Sequence, residues 1–463
     1  MASNMDFDVI VVGAGPGGCI AARDLARAKF RVALFDKDNR DTLGKTIIVE
    51  AQRAMFDLVG IPQLQGDEVP YQERRTRTFS KRRKECFAIE AGHVCASLYL
   101  DRFAKKLLAE AEKDGAQFFG GWTAKEPVVK GKRVAGVRFD RGGTTEDVAA
   151  KLVIDATGYD AALVSKLGPD LGIEFEDRQA DLVIAENHFH EAGEHNAKKA
   201  VKEGRQGDDE VWMRLGAYGN YSTEYSFLSI QKQRAYILIG FKADYRQPPI
   251  KDLTKAFRED AGYYGKWLYG GAGPIRVRRS LDQLVADGFM VIGEAACQVM
   301  PTNGSGVASA LYAGHLAAKV AAPALKERAP TAGDLWRYAR EYQSGRGAVL
   351  ATHDAAKLLL DHLPNDRIAD MLESGVMQPD DIHSGSVPEF MKIKPESLPG
   401  RALALIRNPA LIRFVMRTGK AASAVRKHYE AYPRRYDAKE IRAWKEAAKR
   451  IFEPMEINRK LPK

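Results

Sequence analysis

Phe7-Asp8-Val9-Ile10-Val11-Val12-Gly13-Ala14-Gly15-Pro16-Gly17-Gly18 is the stretch on which the fold turns. Its first half is an almost unbroken apolar run, the pattern of a strand buried on both faces of a parallel sheet. The run enters glycines spaced as GxGxxG, with Ala14, Pro16 and Gly17 between the fixed positions. Cys19 to Ala28 then reads as a helix, in which Ile20, Ala21, Leu25 and Ala28 alternate with Arg23, Asp24 and Arg27. Arg31-Val32-Ala33-Leu34-Phe35 reads as a second strand that stops at Asp36. Gly13 permits the tight turn, Gly15 lets a pyrophosphate approach the backbone, and Gly18 lets helix and strand pack closely. The helix N-terminus offers free N–H groups to phosphate. An acid about 20 residues past the glycines can accept hydrogen bonds from the adenosine ribose. A glycine turn alone is a weak signal. Strand, glycines, helix, strand and terminal acid in this order specify an adenine dinucleotide, without choosing between FAD and NAD.

The composition agrees with an ordinary enzyme. A chain of 463 residues suggests about three domains, and 45% apolar residues supply a core. Cys19, Cys86, Cys95 and Cys297 are far apart and form no CxxC, which argues against a disulfide framework or zinc site and fits a reducing cytoplasm. The N-terminus reads as a strand rather than a signal peptide, and no run of about 18 apolar residues suggests a membrane span. The net charge of +10 suits either a generally basic surface or an anionic partner. No zinc-finger, RNA-recognition or basic-zipper spacing accompanies it, so no nucleic-acid partner is expected.

Two later segments choose FAD by resemblance. Leu152-Val153-Ile154-Asp155-Ala156-Thr157-Gly158 resembles the D-A-T-G segment of FAD-dependent monooxygenases and reductases. Gly288 to Ala296, followed by Pro301-Thr302-Asn303-Gly304-Ser305-Gly306-Val307 and a small-residue helix from Ala308 to about Ala321, resembles the G-D-A-A…P…G-x-G segment of the para-hydroxybenzoate-hydroxylase-like flavoproteins. That resemblance implies that Gly293 and an acid, here Glu294 in place of Asp, hold the ribityl chain. It also implies that the turn of Asn303, Gly304, Ser305 and Gly306, with Val307, approaches the pyrimidine side of the flavin. A helix N-terminus there would stabilise the negative charge of reduced flavin. The same resemblance adds Lys37, Gly44, Lys45, Arg102, Ala124, Asp155 and Gly158 to the cofactor-binding set.

Within that superfamily, roughly residues 5 to 380 most resemble the geranylgeranyl reductase family. Arg279-Ser280-Leu281, Tyr338-Ala339-Arg340-Glu341-Tyr342 and Met371-Leu372-Glu373-Ser374-Gly375 carry the likeness. It implies a FAD-dependent reductase that saturates carbon–carbon double bonds of a prenyl, lipid-like substrate, with NADPH or a ferredoxin as external electron donor. Three departures mark the chain. The Y-x-W-x-F-P cavity motif is replaced by Tyr225-Ser226-Phe227-Leu228-Ser229-Ile230, making Tyr225 and Phe227 the cavity candidates. Gly44-Lys45-Thr46-Ile47 stands where such chains often have a flavin-facing Cys. Arg102 matches an expected Arg, although the helix register favours Leu100 at that place. Tyr225 and Cys297 are the candidate catalytic groups. A flavin monooxygenase acting on an apolar or aromatic substrate stays open as the alternative, because the scaffold serves both chemistries. A flavin-binding lipid sensor or carrier is a third reading.

The expected organisation is α/β. A discontinuous Rossmann-type FAD domain spans 5–60, 97–165 and 272–330, a β-rich substrate domain spans 61–96 and 166–271, and a helical region covers 331–463. Asp181 to Ala185 and Arg234 to Gly240 read as strands, and Glu191 to Glu210 as an exposed loop or short helix. His188 and His190 share one strand face, a core or cavity position rather than a metal site; His315 is read as packed. Tyr71 to Lys84, with Arg74, Arg75, Arg77, Lys81, Arg82, Arg83 and Lys84, is either a phosphate or NADPH handle or a solvated surface. Residues 401–435 hold nine basic residues against Glu430 alone, interleaved with apolar ones. That pattern is either a packed helix with a solvated face or a peripheral membrane contact.

Overall fold

The computed structural model describes residues 6–70, 75–90, 94–202, 204, 210–216, 223–229, 234–242, 255, 265–386, 390 and 395–456. Tyr71, Arg74 and Ile230, named above, lie outside them. Strands are numbered in chain order. The first sheet runs β16 (Val285–Ala286), β17 (Phe289–Val291), β10 (Thr144–Asp155), β1 (Asp6–Val12), β2 (Val32–Asp36), β7 (Gln117–Gly120). β8 (Thr123–Lys130) and β9 (Arg133–Arg141) extend from β10 as an antiparallel flap. β17, β10, β1, β2 and β7 are mutually parallel. Their apolar runs are buried on both faces, with Val9, Ile10, Val11, Leu152, Val153 and Ile154 fully enclosed, as helices on each side require.

The helix Pro16–Arg27 crosses the helix Val307–Glu327 at a glycine pair. A Cβ on Gly314 would sit 2.2 Å from the Gly17 carbonyl oxygen, so the close crossing depends on glycine there. Small residues continue along the second helix, where Ala308, Ala313, Ala317, Ala318 and Ala321 are all buried.

The second sheet runs β15 (Trp267–Arg276), β11 (Leu182–Glu191), β14 (Arg234–Lys242), β13 (Thr223–Ser229), β12 (Glu210–Leu215), β4 (Arg75–Phe79), β5 (Glu85–Glu90). It is antiparallel except where β12 meets β4. β15 belongs wholly to this sheet, so the chain returns to the first sheet beyond Arg276. A two-stranded ladder of β3 (Ile48–Gln52) and β6 (Cys95–Tyr99) completes the strands. From Ala332 to Glu456 the described residues are mostly helical. These helices close over the first sheet, where the Tyr338 hydroxyl donates to the Val291 carbonyl at 3.0 Å. Among the described residues, no helix is long and apolar enough to cross a membrane.

Candidate active site

Because β1, β10 and β17 are parallel, Val12, Asp155 and Val291 end at the same edge of the sheet, the edge where open α/β sheets take ligands. The loops that follow converge on one cavity of about 980 Å³. Gly13 has φ +105°, and a Cβ there would lie 2.2 Å from the Ala156 carbonyl oxygen. A Cβ on Gly18 would lie 1.9 Å from the Gly13 carbonyl oxygen. Both glycines serve the protein's own packing. Gly15 is different: its φ of −70° and ψ of 177° suit any residue, and a Cβ there would meet nothing within 4 Å. It faces open space at a helix N-terminus that no side chain caps. Asp36 stands beside it, accepting from Ala14 N at 2.6 Å and Asp38 N at 2.8 Å. Burial pushes its carboxyl above the usual range, against the pull of those two amides. Open space, free amides and a carboxylate suit the pyrophosphate and ribose of an adenine dinucleotide.

Asp155 is fully enclosed behind this wall. One of its oxygens accepts from Thr157 N at 3.0 Å and Thr157 Oγ1 at 2.6 Å, the other from Leu163 N at 3.2 Å and Val164 N at 2.8 Å. It therefore shapes the turn whose Ala156, Thr157, Gly158, Tyr159 and Asp160 line the cavity. Lys37 reaches Asp160 and ties the first loop to the second. On the third loop, burial raises the Glu294 carboxyl, while Arg276 N donates to it at 3.1 Å and Lys45 lies near enough to oppose the shift. The Arg276 side chain also bonds the Tyr159 carbonyl and reaches Asp177 at 3.1 Å, joining the second sheet to the turn. Asn303 Oδ1 accepts from Ser305 N at 2.9 Å, shaping the entry to the helix Val307–Glu327, which again has no side-chain cap.

The second sheet supplies the cavity floor. In register across it, Ala185 of β11 stands opposite Gly273 of β15 and Gly240 of β14, and Asn187 stands opposite Gly271 and Leu238. All six line the cavity, together with Val183, Met213, Tyr236, Tyr269 and Ile275. The Tyr236 hydroxyl donates to Asn187 Oδ1 and lies 3.3 Å from the Ile48 carbonyl oxygen. Burial first, then the nearby Glu50 charge, holds its phenol well above the usual value and so protonated.

Gly13 to Gly18, Asp36, Lys37, Gly44, Lys45, Ala124, Gly158, Gly293, Glu294 and Asn303 to Val307 all line this one space. Four expectations are placed elsewhere. Asp155 lies behind the wall. Arg102 is exposed, its guanidinium 4.5 Å from the Tyr99 ring centre, while Leu100 and Ala104 of the same helix face the cavity. Cys297 is fully enclosed, does not line the cavity, and has its thiol pushed up to about 11 by burial. Phe227 is buried in a cluster with Ile48, Phe189 and Tyr236 rather than on the cavity wall. Tyr225 lies on β13, but its side chain is outside the described residues. His188 pairs with Glu186 and stacks on His190 at 5.8 Å, away from the residues that form the floor. Arg82 reaches Asp370 at 3.0 Å and Lys81 reaches Asp366 at 2.6 Å, so part of that basic segment docks a neighbouring helix. The residues missed from sequence are Tyr236, Asn187 and Tyr269. Alternation placed Tyr236 on a strand; only pairing with β11 and β15 shows which face looks into the cavity.

The FAD dependent oxidoreductase family matches residues 8–180. A digeranylgeranylglycerophospholipid reductase of Sulfolobus acidocaldarius is 24% identical over 440 residues, covering 93% of this chain and 94% of its own. One of Methanothrix thermoacetophila is 26% identical over 411 residues, covering 85% of this chain and 98% of its own. Among solved structures, a geranylgeranyl bacteriochlorophyll reductase-like protein of Thermoplasma acidophilum superposes with a TM-score of 0.72 at 19% identity, covering 89% of this chain and 99% of that one. With the glycine turn and its parallel strands in place, the family match makes the chain an FAD-dependent oxidoreductase, similar in sequence to proteins named as digeranylgeranylglycerophospholipid reductases.

Proposed function

We propose that the protein saturates carbon–carbon double bonds in the prenyl chain of a lipid. The observation that carries this reading is continuity: the dinucleotide cradle and the sheet floor, with Val183, Met213, Leu238 and Ile275, line one cavity. The relatives named as reductases of a prenylated phospholipid support it. FAD, when bound and reduced, would supply the hydride. Gly13 to Gly18, Asp36 and Glu294 orient the cofactor, the loop Asn303–Val307 presents amides to it, and the apolar floor excludes water from an alkene. The electrons come from an external donor, NADPH or a ferredoxin. The enzyme works in the cytoplasm with peripheral membrane contact through residues 401–435. Anaerobic incubation of flavin-loaded protein with dithionite and a polyprenyl lipid should add two hydrogens per reduced bond, read by mass spectrometry. Lipid left unchanged across several prenyl classes would sink the reading. Product formed only with oxygen uptake would favour a monooxygenase.

Tyr236 is a protonated group on the cavity wall, and we assign it the proton that completes the reduction at the second carbon. Tyr236→Phe is expected to retain FAD and to lower kcat about 100-fold, the usual yield of a positioned acid, with little change in KM. Wild-type kcat in that variant would remove Tyr236 from the mechanism.

Asp36 gives a pH signature. Its raised carboxyl takes up a proton at higher pH than an ordinary aspartate and then loses acceptor capacity toward a ribose. FAD affinity should therefore weaken on acidification, starting above the usual carboxylate range, and titrations of Asp36→Asn should lack that step. The same slope in the variant would place the titrating group elsewhere.

A further inference from the structure

The helices Leu398–Arg407 and Pro409–Glu430 are apolar on two sides. Their inner side is used: Ala404 and Leu411 are buried with Met371 and Val376, and Leu405, Phe414 and Val415 pack against them. The outer side repeats the pattern facing solvent, with Leu403 49% exposed, Ile406 70%, Ile412 38% and Met416 58%. Leu398, at 51%, extends the stripe by one turn.

Charge is as one-sided as hydropathy. From Leu398 to Tyr429 the chain carries Arg401, Arg407, Arg413, Arg417, Lys420, Arg426 and Lys427 and no acid. Arg401 is tied inward to Asp381 at 2.8 Å, and Arg426 to Glu430 at 2.8 Å. Arg407, Arg413, Arg417 and Lys420 are exposed beside the apolar stripe. Long basic side chains flanking an exposed apolar stripe match the boundary between headgroups and acyl chains of a bilayer.

The inner side of the first helix is linked to the cavity lining. Asp381, which Arg401 holds, neighbours Ile382, and Ile382 lines the cavity. A surface lying against these helices would therefore be tied, through Arg401 and Asp381, to a residue that lines the cavity.

We infer that the outer faces of helices 398–407 and 409–430 dock on an anionic phospholipid bilayer and so set the cavity rim at the membrane surface. The inference rests on the proposed prenyl-lipid chemistry for its purpose, not for its geometry. A second copy of the chain suits the face poorly. A two-fold pairing would set the arginines of one copy against those of the other.

The test uses the flavin-loaded full chain and co-sedimentation with vesicles. Wild type should sediment with vesicles of phosphatidylglycerol and phosphatidylcholine, much less with phosphatidylcholine alone, and less as salt rises. Replacing Ile406→Glu together with Met416→Glu should weaken binding at least about tenfold, and Arg413→Gln alone about fivefold. Both sites of the double variant are exposed, so its thermal melt and flavin content should match wild type. Wild type that ignores anionic vesicles would overturn the inference. So would a wild-type dimer that the double variant dissociates. Reduction of detergent-dispersed prenyl lipid separates the two proposals. Its absence in wild type sinks the enzymatic reading and leaves the vesicle result standing. Its loss in the double variant alone would overturn the assignment of Ile406 and Met416 to docking.

Discussion

Gly15→Val should purify as a folded protein without flavin. The backbone at Gly15 is ordinary extended chain, and a Cβ there touches no protein atom within 4 Å, so valine costs the fold little. What the branched side chain fills is the space in front of the uncapped helix N-terminus, where a pyrophosphate would take its amide hydrogen bonds. Each charge-assisted bond lost costs about 1.5–3 kcal/mol, so FAD affinity should fall about 10- to 100-fold or more. Flavin absorbance of the purified protein, FAD titration and circular dichroism read the outcome together. Native-like, yellow Gly15→Val protein with wild-type affinity would refute the placement of the cofactor. Gly18→Ala is the contrasting control. Its Cβ would fall 1.9 Å from a backbone oxygen, so that variant should lose folding and flavin together.

The second large effect is expected at Asp155. Alanine there leaves Thr157 N and Oγ1, Leu163 N and Val164 N without their acceptor. A buried donor left unpaired costs about 1–3 kcal/mol, and Leu163 and Val164 donate in fully buried surroundings. Asp155→Ala should therefore destabilise by about 3–5 kcal/mol, read by denaturant unfolding, and weaken flavin binding because the turn it shapes lines the cavity. Asp155→Asn keeps one acceptor and should fall between alanine and wild type. A loss below about 1 kcal/mol in the alanine variant would show that water replaces the carboxylate.

The cradle was readable in the chain because its logic is local. Strand, turn, helix, strand and Asp36 follow one another within the first 36 residues, and a hydrogen bond from Ala14 N to Asp36 closes the unit. The loop from Pro301 to Val307 was readable for the same reason: its glycines and its helix start are neighbours. The floor was not. Tyr236 and Asn187 are 49 residues apart, and their meeting depends on the register of β11 against β14, which no local pattern states. Two of the four expectations placed elsewhere have physical causes as well. At Arg102 the helix phase turns Leu100 and Ala104 inward and sends the arginine to solvent. At Cys297 the chain turns through a left-handed conformation, φ 55°, which buries the thiol instead of presenting it. The C-terminal basic segment was legible as amphipathic, but only the packing of Ala404 and Leu411 shows which of its apolar residues are left over.

The parallel order of β1, β10 and β17 has a consequence for how the protein is made. Its three cavity loops leave the ribosome at widely separated times, and the last is not available until Val307 has emerged. A nascent chain holding the glycine turn alone has one wall of three; its β1 edge waits for β10, and β10 in turn waits for β17. Parallel pairing across such distances is slow to form and exposes unpaired strands meanwhile. Cofactor loading should accordingly be a late event, and the apo chain should be the species on which chaperones and proteases act.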